Sequence, residues 1–305
     1  MSAPALAAGY AADLAFGDPR RGHPVAGFGK LASQVERAAY APNRAHGVAY
    51  AAGLTALTAG AAELAARRFG RGTVLAACTW AALGGRSLVR EAGGLAARVE
   101  AGDIAGARGA LPALCGRDPS QLDGPELCRA ALESVAENTG DAVVGALLWG
   151  ALGGPAGVAG YRAANTLDAM VGHHGEHYER FGWGAARLDD ALNWPAARAA
   201  SLLTALCAPV VGGSAREAWR ITRRDGSRHP SPNAGRVEAA FAGALGVRLG
   251  GPLSYGGRAE PRPQLGDGRA PMAQDVHRAA RLSLAVGATS AAASVAVRAA
   301  WTRGR

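Results

Sequence analysis

The chain has 305 residues, of which 49% are hydrophobic and only 6% aromatic, and it carries a formal net charge of +9. That length accommodates one large domain or two small ones. The positive charge fits nucleic acid, acidic ligands or arginine-rich loops beside membrane spans, but no basic-aromatic run of the kind that stacks bases occurs, so no nucleic-acid partner is expected.

The first element in chain order is the charge-free run Met1 to Ala12, followed by Asp13, Gly17-Asp18-Pro19 and His23-Pro24. No basic leader precedes Asp13, which weighs against a cleaved secretory signal. Pro19 and Pro24 impose extended or turn geometry, and Asp18 suits the cap of an exit turn. Further charge-free runs are Gly47 to Ala62, Thr73 to Gly85, Ala142 to Tyr161, Ala199 to Ala215 and Leu282 to Val297. A membrane span takes about 20 apolar residues. Most of these runs are slightly shorter and only weakly apolar, so their lack of charge says more than their hydrophobicity. They predict an all-α fold: a polytopic integral membrane helical protein, one integral membrane domain over residues 1–305. Long polar loops at about 13–46, 86–141, 162–198 and 216–281 would carry its active site. A soluble alanine-rich bundle is the competing fold.

Gly153-Gly154-Pro155 interrupts the fourth run. Glycine and proline both break helices, and neither half of the run is long enough to span alone. A broken or re-entrant helical hairpin is predicted, covered by protein or by a water-filled cavity. A hairpin would keep the flanking blocks Glu133–Asp141 and Asn165–Asn193 on one aqueous face, where a full crossing would separate them. Those blocks hold Glu133, Glu137, Asn138 and Asp141, then Asn165, Asp168, Arg187, Asp189, Asp190 and Asn193. Carboxylates and amides beside apolar sequence are costly unless polar groups meet them, which points to a polar reaction site at the edge of a bilayer.

Between the runs, Glu91–Glu100 and Pro125–Asn138 have the pattern of amphipathic surface helices. Arg216 to Arg281 holds twelve Arg and six acids, a net of +6, and is the leading candidate for a cytoplasmic loop, in competition with the Arg67-Arg68-Arg71 loop. Within it, Gly250 to Pro271 is rich in Gly, Pro and Arg and is expected to be irregular. Cys78, Cys115, Cys128 and Cys207 form no C-x-x-C pair and are expected as reduced core residues.

His173-His174-Gly175-Glu176-His177 matches an H-x-x-E-H zinc signature, but Gly172, Gly175 and Gly182 weaken any helix there, so a polar loop cluster and no zinc are expected. Gly27-Phe-Gly29-Lys30 is only a fragment of a phosphate-binding loop; Lys30 is a candidate phosphate ligand or a membrane-edge cation. Asp225-Gly-Ser-Arg-His229-Pro-Ser231-Pro232-Asn233-Ala-Gly235 is a rigid segment whose plain role is a capped helix start before Glu238.

Together these blocks resemble the CobD/CbiB family of cobalamin biosynthesis, the adenosylcobinamide-phosphate synthases. The matching residues are Asp13, Gly17-Asp18-Pro19 and His23-Pro24-Val25; Glu133-Ser-Val-Ala-Glu-Asn-Thr139 and Asp141; Tyr161; and Asn165-Thr-Leu-Asp-Ala-Met-Val-Gly172. The match continues through Phe181-Gly-Trp183, Ala186-Arg-Leu-Asp-Asp190, Asn193-Trp194, Ala197-Arg198, Asp225-Gly226, His229-Pro-Ser-Pro-Asn-Ala-Gly235, Glu238-Ala and Ala242 to Gly251. Departures are Arg236-Val237 where the family usually has Trp-Pro, Ala146 for a usual Pro, and His173-His174-Gly175 where an aromatic and a basic residue are common.

The resemblance implies an inner-membrane ligase that joins adenosylcobyric acid to an aminopropanol phosphate by an ATP-dependent amide bond, with its active site cytoplasmic. Amide formation in water is uphill, so the acid should pass through an acyl phosphate; Mg²⁺ would need carboxylate oxygens, and Arg and Lys would neutralise phosphates. Candidate catalytic residues are Glu133, Glu137, Asn138, Asp141, Asn165, Asp168, Asp189 and Asp190, with Glu137, Asp141 and Asp189 as the Mg²⁺ ligands. Candidates for substrate and phosphate binding are Asp18, His23, Lys30, Arg187, Asn193, His229, Ser231 and Asn233. Expected partners are the corrinoid, the aminopropanol phosphate, the lipid bilayer and other membrane enzymes of cobalamin assembly. The alternative function is a non-catalytic membrane transporter or signalling relative.

Overall fold

The computed structural model of the chain describes residues 3–19, 22–172, 175, 177–255 and 258–303. In chain order the elements are α1 (Ala3–Phe16), α2 (Pro24–Ala39), α3 (Arg44–Phe69), α4 (Arg71–Ala82), α5 (Gly85–Glu100), α6 (Ile104–Ala110) and α7 (Gly124–Asn138). A π-helical turn, Thr139–Gly145, leads into α8 (Ala146–Val171), then α9 (Trp183–Cys207), α10 (Ala215–Asp225), α11 (Ala234–Leu245), the hairpin β1 (Leu249–Tyr255) and β2 (Arg258–Leu265), and α12 (Ala273–Arg303). The all-α expectation holds. Among the described residues four stretches are long and apolar enough to cross a membrane: Arg44–Phe69, Gly124–Val171, Trp183–Val211 and Ala273–Trp301. The chain divides into two compact units, one of residues 1–84, 141–194 and 290–305, the other of residues 85–140 and 195–289.

In the first unit, α8 is broken where the glycines and proline stand. Gly154 has φ 64° and ψ −146°, a left-handed conformation that glycine alone adopts without penalty. Pro155 cannot supply the amide that would bond to the Ala151 carbonyl. Arg298 of α12 supplies it instead, its Nη1 donating to that carbonyl at 3.0 Å. The chain then doubles back, so that a Cβ on Gly157 would meet the Trp149 carbonyl oxygen and one on Gly145 would meet the Tyr161 hydroxyl. The predicted hairpin is therefore present. Its first apolar arm, Ala142 to Gly153, is about 18 Å long at 1.5 Å per residue, well short of a bilayer core.

Leu6, Leu75, Leu83, Leu147, Val158 and Tyr161 form one core around this hairpin, and Tyr50, Leu54, Leu167, Val171 and Phe181 form a second. The start of α3 meets residues 181–184 at contact distance because both sides are glycines: a Cβ on Gly47 would overlap the Phe181 carbonyl, and one on Gly184 would press on the Val48 backbone. Small residues at helix contacts let backbones approach closely, as they do between membrane helices. Leu57 and Leu64 lie seven residues apart on α3 and are both exposed, an apolar face that suits lipid.

In the second unit, α11 is buried almost throughout and packs against α7, α10 and the hairpin. A capping box of Asp123 and Glu126 starts α7, Ser214 caps α10, and Asp103 caps α6. The amphipathic surface helices predicted at Glu91–Glu100 and Pro125–Asn138 fall within α5 and α7, but α7 is no surface helix: it is buried from Ala130 through Ala136. Gly250 to Pro271 is only partly irregular: strands Leu249–Tyr255 and Arg258–Leu265 pair as an antiparallel ribbon with Leu249 opposite Leu265, and Gly266 to Pro271 is irregular as expected. Gly250 (φ 73°) and Gly251 (φ 91°) absorb a bulge, and Pro252 sits opposite Pro261, a pairing that a two-stranded ribbon tolerates because both strands are edges. Of the four cysteines expected in the core, Cys128 and Cys207 are buried, while Cys78 and Cys115 are half-buried.

Candidate functional site

The predicted polar residues fall into two groups, one in each unit. In the first unit, α8 and α9 bring four side chains into one network. Arg162 Nη1 donates to Asn165 Oδ1 at 3.0 Å, which fixes the Asn165 amide so that its Nδ2 faces Asp189 Oδ1 at 3.3 Å. Asn193, one turn after Asp189 on α9, donates to Asp189 Oδ2 at 2.9 Å. Tyr161 closes the network: its hydroxyl donates to the Asp141 main-chain carbonyl at 2.6 Å and lies 2.5 Å from Asn193 Oδ1. Asp189, Asn193 and Tyr161 are buried, and Asp141, Arg162 and Asn165 are half-buried. Asp141 stands in the π-helical turn, a geometry frequent at functional sites.

Arg162 is the electrostatic centre of this group: the carboxylates acting on its guanidinium are Asp18, Asp141 and Asp189. It also lines a pocket of about 260 Å³ whose walls include Pro24, Val25 and Phe28 of α2 and Thr166 of α8. His23 caps α2, its Nδ1 accepting from the Val25 amide at 3.1 Å, while its Nε2 sits 3.3 Å from Asp18. Asp168 lies a turn beyond Asn165 and is half-buried; Asp190 is half-buried and pairs with exposed Arg187 at 3.6 Å. Lys30 is exposed on α2. His173, His174 and Glu176 lie outside the described residues; His177 is exposed and stacks on Tyr40 with ring centroids 4.2 Å apart.

In the second unit, Glu133 is buried and both its oxygens are engaged. Oε2 accepts from Arg117 Nη2 at 2.6 Å, and Oε1 accepts from the Gly250 amide at 2.7 Å. One turn earlier on α7, Arg129 Nη1 donates to the Gly250 carbonyl at 2.7 Å. These two residues clamp the bulged end of the ribbon onto the helix. Asn138 Nδ2 donates to the Ser134 carbonyl at 2.9 Å, and Glu137 is exposed. The N-cap of α11 is Asn233, whose side chain makes no capping bond; Ser231, two residues earlier, satisfies the helix start instead, its Oγ accepting from the Ala234 amide at 3.1 Å. Asn233 Oδ1 accepts from Arg198 Nη1 at 2.9 Å. His229 is buried, with Nδ1 accepting from the Ser231 amide at 3.0 Å and Nε2 placed 3.0 Å from Arg262 Nη1 and 3.9 Å from Glu238. Burial, followed by the charges of Glu133 and Glu137, pushes the Glu238 carboxyl well above the usual range.

No three His, Cys, Asp or Glu side chains gather as a metal site among the described residues. Glu137 belongs to one unit and Asp141 and Asp189 to the other. Beyond the candidates read from the sequence, the structure adds Arg162, Arg117 and Arg262, and gives contacts to Tyr161, Arg198 and Glu238, which the sequence marked only through the family resemblance. Arg162 had a visible signal, being the first charge after the uncharged run Ala142 to Tyr161.

A helical protein with several stretches long and apolar enough to cross a membrane belongs to the class of polytopic membrane proteins, and this one carries an amide–carboxylate–guanidinium network bordering a pocket. Within that class the chain belongs to the CobD/CbiB family, whose model, described as CobD/Cbib protein, matches residues 6–283. It is 54% identical over 287 residues to a cobalamin biosynthesis protein CobD of Mycobacterium tuberculosis (strain ATCC 25618 / H37Rv), covering 93% of this chain and 91% of the relative. It is 44% identical over 270 residues to the protein of that name in Geobacter metallireducens, covering 85% of each chain, and 44% identical over 280 residues to that of Chromobacterium violaceum, covering 88% of each. No solved structure matches the chain.

Proposed function

We propose that this protein is a cobalamin-biosynthesis enzyme that joins adenosylcobyric acid to aminopropanol phosphate by ATP-dependent amide formation, giving adenosylcobinamide phosphate. The observation that carries the reading is the Arg162–Asn165–Asp189–Asn193 network beside the pocket, in a chain of the CobD/CbiB family. Phosphoryl transfer from ATP to the corrinoid carboxylate releases ADP and leaves an acyl phosphate. Attack by the aminopropanol nitrogen forms the amide, expels phosphate and requires loss of a proton from that nitrogen.

The residues of the first unit suit the charged side of this chemistry. Arg162 offers a planar fork for phosphate or carboxylate oxygens, and Asn165 holds that fork in place. Asp189, held by two amides, is the acceptor for the proton released by the amine. Mg²⁺ would supply charge neutralisation on the phosphates. The residues present suit an ion carried in by the nucleotide, with one or two of Asp141, Asp189 and Asp190 as protein ligands, rather than a protein-made cage. The active site is cytoplasmic in this reading, because ATP is used there.

The test is to add ATP, Mg²⁺, adenosylcobyric acid and aminopropanol phosphate to membranes carrying the chain and to weigh the corrinoid. A mass gain equal to the aminopropanol phosphate unit less one water is expected. An unchanged corrinoid alongside active relatives assayed in parallel would reject the ligase and leave a transporter or signalling role.

A further inference from the structure

The amphipathic helix α10 has two faces with different fates. Ala218, Ile221, Thr222 and Asp225 are buried against the rest of the second unit. On the opposite side stand Arg216, Trp219 and Arg223, at positions i, i+3 and i+7, which share one stripe of a helix. The other arginines of α10 are committed to carboxylates: Arg220 to Glu217 and Asp267, and Arg224 to Asp225 and Asp267. Arg216 and Arg223 are exposed and make no ion pair among the described residues.

The segment that delivers the chain to α10 bears a second, independent feature. Leu202, Leu206 and Val210 are 48%, 61% and 62% exposed, at steps of four residues along α9 and the short 3₁₀ turn Ala208–Val211. They form an apolar stripe on a stretch long and apolar enough to cross a membrane. Three residues later Ser214 caps α10, so the helix begins where that span ends. Trp219, itself 44% exposed, is of the type enriched where hydrocarbon gives way to headgroups. Arginines without protein partners next to it match anionic phosphate groups.

We propose that the Arg216–Trp219–Arg223 face of α10 is a membrane-surface site that seats the headgroups of anionic phospholipids, with Trp219 inserted at the interface and the two arginines on lipid phosphates. A helix lying in the interfacial plane with a tryptophan and basic residues toward the lipid is a stable arrangement at an anionic surface. The site does not depend on the ligase reading and would hold for a transporter equally.

The test uses the purified full chain in vesicles of phosphatidylcholine with and without phosphatidylglycerol. Trp219→Phe isolates the Trp219 fluorescence by difference. Brominated acyl chains should quench that component, and aqueous iodide should quench it at most half as much once phosphatidylglycerol is present. Native mass spectrometry after gentle detergent extraction should show phosphatidylglycerol retained over phosphatidylcholine, with the excess falling at least twofold in Arg216→Gln/Arg223→Gln. The buried face of α10 is untouched in that variant, and the fluorescence arm reads the wild-type fold. Iodide quenching of Trp219 without bromolipid quenching, or an unchanged phosphatidylglycerol excess in the double variant, overturns the proposal.

Discussion

The Tyr161 hydroxyl donates to the Asp141 main-chain carbonyl at 2.6 Å, across 20 residues of chain. In a straight helix those residues would stand about 30 Å apart. One side chain therefore fastens the return arm of the hairpin to the π-helical turn where it begins. The same hydroxyl reaches Asn193, which in turn holds Asp189.

Tyr161→Phe removes that fastening and leaves the half-buried Asp141 carbonyl without its donor. A loss of about 1–3 kcal/mol of stability is expected. Unfolding in detergent should show a lower midpoint for the variant, together with reduced amide formation in the corrinoid assay. A variant equal to wild type in both would show that the contact is incidental.

Gly154 and Arg298 form the second fastening. Gly154→Ala places a Cβ at positive φ and 3.0 Å from Arg298 Nη2. Arg298→Met leaves the Ala151 carbonyl, freed by Pro155, without its donor. Each should destabilise the protein by about 1–3 kcal/mol. The two should couple by about 0.5 kcal/mol or more in a double-mutant cycle. Strict additivity would show that Arg298 does not act on the break.

Arg162→Lys retains the charge but loses the planar fork that holds Asn165, and Asp189→Asn retains size but loses charge. Each should lower product formation at least about tenfold while the amount of protein in the membrane stays near wild type. If these residues served only to hold the helices together, membrane level would fall with activity. Near-normal turnover in both variants would remove them from the catalytic assignment.

Glu238 gives a pH-dependent signature. Its folded-state carboxyl is pushed above the ordinary value of 4.5 by burial and then by Glu133 and Glu137. The folded protein therefore binds this proton more tightly than the unfolded chain, so its contribution to stability falls as pH rises above 4.5. Glu238→Gln removes the titration. The variant's thermal midpoint should gain on wild type between pH 5 and 8, and the gap should close as pH falls toward 4.5. A gap independent of pH would mean that Glu238 is ionised when folded.

The sequence by itself determined the positions of the apolar helices, the break at Gly153-Gly154-Pro155, the capped start of α11 and the blocks that hold Asn165, Asp189 and Asn193. These are local properties: a run without charge, a residue without an amide hydrogen and a one-turn spacing on a helix all act within a few residues of themselves. Only the tertiary structure decided which charges meet. It set Asn165 against Asp189 on the next helix, engaged both oxygens of Glu133 with Arg117 and the Gly250 amide, and brought Arg298 to a carbonyl 147 residues away. It also made a bulged ribbon of the Gly- and Pro-rich stretch after Leu249, where composition indicated irregular chain. The partner of a guanidinium or a carboxylate is chosen by where the folded backbone leaves an unpaired group out of water, and residue type and spacing along the chain do not carry that information.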